Sequence, residues 1–190
     1  IDGAEGVDLL SYASAPAGVN VDLLLGRVSG GAGNDQVARL EGVVGSAFDD
    51  VLKGDANANA LSGGLGNDTL DGGAGSDLLS YLGAASAVAV NLALGTATGA
   101  DGNDTLAGFE EVLGSAFGDT LIGDDLNNFL EGMAGDDVVD GGAGFDAVTY
   151  RLSRAAVTVN LGTGLASGGQ GNDTLVRIEQ VTGSTFNDLL

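Results

Sequence analysis

The chain has 190 residues and a formal net charge of −21, from 27 Asp and Glu against 6 Lys and Arg, yet 44% of it is hydrophobic and its mean hydropathy is +0.23. High charge accompanies disorder only when hydrophobicity is low, so this chain is expected to fold around a core. The charge excludes nucleic acid and anionic membrane surfaces as partners, and the absence of Cys, His and Trp removes disulfides, the usual zinc sites, thiol nucleophiles and histidine acid–base chemistry.

The acids are 21 Asp and 6 Glu, beside 35 Gly and one Pro. Short acids next to a permissive backbone make turns rather than helices. Three strings, GSAFDD at Gly45, GSAFGD at Gly114 and GSTFND at Gly183, lie 69 residues apart, and the flanking residues keep that offset without insertion. Leu10-Ser11-Tyr12, Leu79-Ser80-Tyr81 and Val148-Thr149-Tyr150 match one another, as do Gly33-Asn34-Asp35, Gly102-Asn103-Asp104 and Gly171-Asn172-Asp173. In chain order the organisation is a partial repeat over 1–44, full repeats over 45–113 and 114–182, and the start of another over 183–190, read as one continuous solenoid excerpted from a longer array. Residues 81–100 carry no charge, but their copy over 150–169 holds Arg151 and Arg154, so a membrane helix is a poor reading, and no signal peptide is visible.

Within each repeat a period of nine appears: residues 45–53, 54–62, 63–71 and 72–80 each begin with Gly, place Asp or Asn sixth and Leu eighth. Positions 1 to 6 read as a turn and positions 7 to 9 as a short strand whose central residue faces the core. Two nonapeptides make an 18-residue coil, and stacking coils places Leu52 over Leu70, Leu61 over Leu79, Asp50 over Asp68 and Asn59 over Asp77. The spacer fits the same arithmetic as an 18-residue coil over 81–98 and a 15-residue coil over 99–113.

These nonapeptides resemble the RTX repeat, GGxGxDxUx with U a large apolar residue, a calcium-binding parallel β-helix motif. The resemblance implies an all-β, right-handed parallel β-roll or β-solenoid with calcium in the turns. Stacked carboxylates repel by about 1 kcal/mol per close pair in water and by more when desolvated. Ca²⁺, taking six to eight oxygens, relieves this better than the smaller Mg²⁺. Carried onto this sequence, the family arrangement pairs Asp35 with Asp50, Asp50 with Asp68, Asp104 with Asp119, Asp119 with Asp137, and Asp173 with Asp188, and on the opposite face Asn59 with Asp77 and Asn128 with Asp146. Asn keeps an oxygen but loses a charge, so the last two sites are expected to be weaker or to need Asp55 or Asp124.

Asp22, Asp71, Asp101 and Asp140 lie outside the sixth position and read as solvated charges. Phe48, Phe117, Phe186 and Tyr12, Tyr81, Tyr150 read as packing where the turn geometry changes. Leu40, Phe109 and Ile178, with Val43, Val112 and Val181, read as the inner face of the short coil, alternating with Glu41, Glu110, Glu111 and Glu179. No catalytic constellation appears, so the chain is not expected to be an enzyme.

The resulting expectation is a calcium-dependent structural repeat, a stalk, spacer or adhesin segment of a secreted or cell-surface bacterial protein, disordered without calcium and folded on export by type I secretion. An accessory module of an extracellular enzyme is the alternative. Calcium is the expected partner, and exposed solenoid ends suggest end-to-end self-association.

Overall fold

The computed structural model describes residues 1–31, 33–99 and 101–190, and among them the chain forms 21 strands and no helix. Strands fall at positions 7 to 9 of every full nonapeptide: Val51–Lys53, Ala60–Ser62, Thr69–Asp71 and Leu78–Ser80, then Thr120–Ile122, Phe129–Glu131, Val138–Asp140 and Ala147–Thr149. The eighth residue is the one turned inward. Leu52, Leu61, Leu70, Leu79, Leu121, Leu130, Val139 and Val148 are at most 1% exposed, while their strand neighbours are for the most part more open, as the two-residue period of a strand requires.

The chain divides into two compact units, Ile1–Ser80 with Gly95–Phe109, and Tyr81–Leu94 with Glu110–Leu190. In the first, one parallel sheet stacks Leu10, Val43, Leu61 and Leu79, and the other stacks Val21, Leu52, Leu70 and Leu106. In the second, the corresponding ladders are Val112, Leu130, Val148 and Val181, and Val90, Leu121, Val139 and Leu175. Aliphatic ladders of this kind form the core, and Leu40, Phe109 and Ile178 lie within it as expected.

The spacer is not the predicted pair of coils. In the second unit Val157–Asn160, Leu165–Gly168 and Gly171–Val176 form an antiparallel meander. Its last strand lies parallel on Val138–Asp140, with Leu175 over Val139. The first unit repeats the pattern with Val19–Asp22, Arg27–Gly30 and Asp35–Gln36, the first strand lying parallel on Val51–Lys53. Thr96–Gly99 likewise folds back on Gly102–Ala107, which rests directly on Thr69–Asp71.

Two turns produce the reversal. At the first, Asp22, Asn91 and Asn160 each accept a hydrogen bond from the backbone N–H three residues on, and Gly26, Gly95 and Gly164 close the loop at φ of 64–67°. At the second, Gly102 and Gly171 sit at φ of 145° and 136°, where an added Cβ would meet the carbonyl oxygens of Gly66 and Gly135 at 1.6 Å. Among the described residues no helix is long and apolar enough to cross a membrane, and the uncharged stretch contains the strands Val88–Asn91 and Thr96–Gly99.

Leu121 is fully buried between Val90 and Val139. Leu121→Ala should lower stability by about 2–5 kcal/mol, read as a reduced urea midpoint in calcium, because neighbouring ladder rungs cannot collapse into the cavity.

Candidate metal centre

The sixth-position acid and the first-position glycine form one device. An added Cβ would lie 2.4 Å from Asp50 Oδ2 at Gly45, 2.0 Å from Asp68 Oδ2 at Gly63 and 2.1 Å from Asp137 Oδ2 at Gly132. Each carboxylate folds back into the space that the missing side chain leaves. There the N–H groups of Ser46 and Ser115 donate to Asp50 and Asp119, and the hydroxyls of the same serines donate to the second oxygen at 2.9 and 2.7 Å.

The same carboxylates tie each coil to the next. Asp50 N–H donates to Asp68 Oδ1 (2.8 Å) and Asp68 N–H to Asp104 Oδ1 (3.0 Å). In the second unit Asp119 N–H donates to Asp137 Oδ1 (2.8 Å) and Asp137 N–H to Asp173 Oδ1 (3.1 Å). These six residues are at most 8% exposed. On the opposite face Asn59 N–H donates to Asp77 Oδ1 (2.7 Å), and Asn128 N–H to Asp146 Oδ1 (2.8 Å).

The predicted neighbours Asp50–Asp68, Asp119–Asp137, Asn59–Asp77 and Asn128–Asp146 therefore meet. Three predicted pairs do not. The strands Arg27–Gly30 and Val19–Asp22 come between Asp35 and Asp50, and Val19 N–H takes the place on Asp50 Oδ1 (2.7 Å). In the same way Leu165–Gly168 and Val157–Asn160 come between Asp173 and Asp188, and Val157 N–H donates to Asp188 Oδ1 (2.9 Å). Asp104 sits under Asp68, whereas Asp119 belongs to the other unit and accepts from Val88 N–H (2.8 Å). The cause is the meander, which carries the next coil away from the acid 15 residues before it.

Asn59 and Asn128 imitate the acid in part. Their Oδ1 atoms accept from Asp55 and Asp124 N–H at 2.7 and 2.8 Å, but their Nδ2 atoms are buried without a hydrogen-bond partner. The carboxylates of Asp55 and Asp124 instead close their own turns on Asn57 and Leu126 N–H.

Three contributors escaped the sequence reading. Glu41 and Glu179 accept from the N–H groups of Asp8 and Asp146, both at 2.9 Å, and so stand in for a sixth-position acid in the shortened coil. Fifth-position side chains form an outer ladder, with Asp49 accepting from Asn67 N–H (2.7 Å) and Asn67 from Asn103 N–H (3.0 Å), a pattern visible in retrospect in the Gly-Asn-Asp triplets. Tyr150, 3% exposed, donates its hydroxyl to Asp173 Oδ2 (2.8 Å) and closes that acidic ladder. The phenylalanines differ from the packing expected of them: Phe48, Phe117 and Phe186 are 44–51% exposed.

Burial, with the charges of Asp104 and Asp50 adding to it against the relief from Asp50 N–H, pushes the Asp68 carboxyl up to about 7. Asp137 is pushed up to about 7 by burial and by Asp173 and Asp119 in the same way. Burial also raises Asp173 and Asp146. Asp68 Oδ2 and Asp137 Oδ2 are buried and accept no hydrogen bond. Each of these two oxygens, buried without a donor and in line with the further carboxylates of its own unit, fits a hard cation. Among the described residues no three acidic side chains converge on one point, so an ion here would take its remaining oxygens from backbone carbonyls and water.

Coils of two short parallel strands, joined by glycine–aspartate turns and stacked acid over acid, define a parallel β-roll. The family model of the RTX calcium-binding nonapeptide repeat matches in four copies, over residues 27–41, 44–79 and 113–148, and in these segments the chain is similar to that repeat. The two longer matches cover the consecutive nonapeptides and end before the strands Val88–Asn91 and Val157–Asn160. No curated protein matches the chain.

The raised carboxyls set a pH dependence. Their folded-state values, about 7, stand above the ordinary 3.8, so between about pH 4 and 7 the folded chain binds more protons than the unfolded chain. Without calcium, stability should therefore fall as pH rises through that window, measured as declining β signal in circular dichroism with a chelator present.

Tyr150→Phe should cost about 1.5–3 kcal/mol, the usual range for a hydrogen bond to a charged group. Tyr12→Phe should by contrast raise the denaturation midpoint, because the buried Tyr12 hydroxyl has no hydrogen-bond partner to lose and its desolvation is uncompensated.

Proposed function

We propose that calcium folds this segment, and that the folded segment is a structural repeat, serving as a stalk, spacer or adhesin region of a secreted or cell-surface bacterial RTX protein. The observation that carries the reading is the repeated ladder of buried carboxylates, Asp50–Asp68–Asp104 and Asp119–Asp137–Asp173, each with a donor-free oxygen at its centre. Asp68 and Asp137 are the residues best suited to hold an ion. Their ladder neighbours Asp50, Asp104, Asp119 and Asp173 supply charge, and Asp77 with Asn59 and Asp146 with Asn128 form the less charged opposite face.

A bound divalent cation supplies the positive charge that the ladders lack. In its absence a chain of net charge −21 repels itself, and the aligned acids oppose burial. Binding confined to the folded state adds about 2.7 kcal/mol per site when free ion stands 100-fold above Kd. Low calcium inside the cell then keeps the chain extended for export, and higher calcium outside folds it. Type I secretion follows from the RTX resemblance. The reading assigns no catalysis, since the buried carboxylates are engaged by backbone N–H groups and recur from coil to coil.

A calcium titration followed by far-UV circular dichroism tests this at neutral pH. The expected result is a cooperative gain of β signal that a chelator reverses and magnesium does not reproduce. Asp68→Asn and Asp137→Asn should each move the calcium midpoint upward. A chain already fully β in chelator and insensitive to calcium would overturn the reading.

A further inference from the structure

In the second unit a buried carboxylate stands outside the turn ladders. Glu131 occupies the ninth nonapeptide position, at the end of Phe129–Glu131, and is 1% exposed. None of the ion pairs among the described residues includes it. Its neighbours are neutral: Leu152 N–H donates to Oε1 (2.9 Å), Thr149 Oγ1 to Oε2 (3.1 Å) and Gln170 Nε2 to Oε1 (3.3 Å). Gln170 is itself 7% exposed, and its Oε1 is buried with no hydrogen-bond partner. A buried carboxylate with no cationic partner therefore lies against an amide whose oxygen is unsatisfied.

The preceding repeat places Ser62, Ser80 and Asp101 at the positions of Glu131, Thr149 and Gln170. The backbones correspond, since Gly66 N–H donates to Asp101 O and Gly135 N–H to Gln170 O, both at 2.7 Å. Each unit thus has one acid at these positions, attached to a different strand or turn: Asp101 with a small Ser62 in the first, Glu131 with a neutral Gln170 in the second. Packing alone requires volume at these positions. It does not require a carboxylate.

We propose that the pocket of Glu131, Thr149 and Gln170 binds a calcium ion independently of the sixth-position ladders. With the Gln170 amide turned so that its oxygen faces Glu131, the donor set is oxygen only, which suits a hard cation. A half-turn of the Gln170 amide exchanges Nε2 for Oε1 beside the carboxylate. Two oxygens facing each other there repel in an empty pocket and become shared ligands around a cation. Glu131 contributes two oxygens, Thr149 and Gln170 one each, and calcium's preference for six to eight leaves the rest to water or backbone carbonyls.

Equilibrium dialysis of the whole chain against calcium counts ions per molecule, with circular dichroism in saturating calcium to verify folding. Glu131→Gln, which preserves shape and removes the charge, should bind one ion fewer than the unaltered chain. The double change Glu131→Ser with Gln170→Asp moves the acid to the wall that carries it in the first unit, and should restore the full number. Asp137→Asn serves as the ladder control and should leave the Glu131-dependent ion in place, so that a failure of the ladders to bind remains distinguishable. A full complement of ions in Glu131→Gln, or a folded double variant that stays one ion short, would overturn the proposal.

Discussion

The contact on which the stack depends is a carboxylate folded back over a glycine while it accepts a backbone N–H from the neighbouring coil. Three-residue strands offer few ladder hydrogen bonds of their own and would be marginal in isolation. The turn supplies the rest: Asp68 fills the space above Gly63 and receives the N–H of Asp50, and Asp137 does the same with Gly132 and Asp119. A side chain at the first position would occupy the site of the carboxylate, and a longer or neutral residue at the sixth would alter the bond to the next turn. Glycine and a short acid or amide are thus required together, nine residues at a time.

That contact also creates the molecule's electrostatic difficulty. The geometry that binds coil to coil aligns Asp50, Asp68 and Asp104 in a buried row, and burial outweighs the hydrogen bonds at the central acid, whose pKa rises. The opposite face lessens the repulsion by replacing one acid with Asn59 or Asn128, at the cost of a buried amide nitrogen without an acceptor. At the end of the second ladder Tyr150 donates to Asp173, a neutral answer to the same problem. A cation is the remaining answer, and it acts where neither amide nor phenol reaches, at the central carboxylate oxygens.

The meanders give the repeat its length and set the limits of each ladder. Because Gly171–Val176 lies on Val138–Asp140, Asp173 joins Asp137 across 36 residues, and the strand order then reverses twice before the next coil begins at Val157. Each acidic run is thereby held to three members, with hydrogen-bonded backbone in place of a fourth carboxylate: Val19 N–H caps Asp50 and Val88 N–H caps Asp119. An uninterrupted row would accumulate charge with every coil.

The sequence by itself determined the 69-residue unit, the placement of every nonapeptide strand, the aliphatic ladders and four of the seven acid or amide neighbours, because each depends on a local period of two, nine or eighteen. It also carried the hairpin signals, Asp22 or Asn91 four residues before a glycine, although 33 spacer residues divide so readily into two coils that the period concealed them. Only the tertiary structure decided which coil follows which: whether Asp104 meets Asp68 or Asp119 depends on strand order, and antiparallel and parallel strands share the same alternation of side chains. The contacts of Tyr150 with Asp173 and of Glu131 with Leu152 and Gln170 were likewise undetermined by spacing, since these partners lie 21 to 39 positions away, whereas Thr149 stands one 18-residue coil from Glu131.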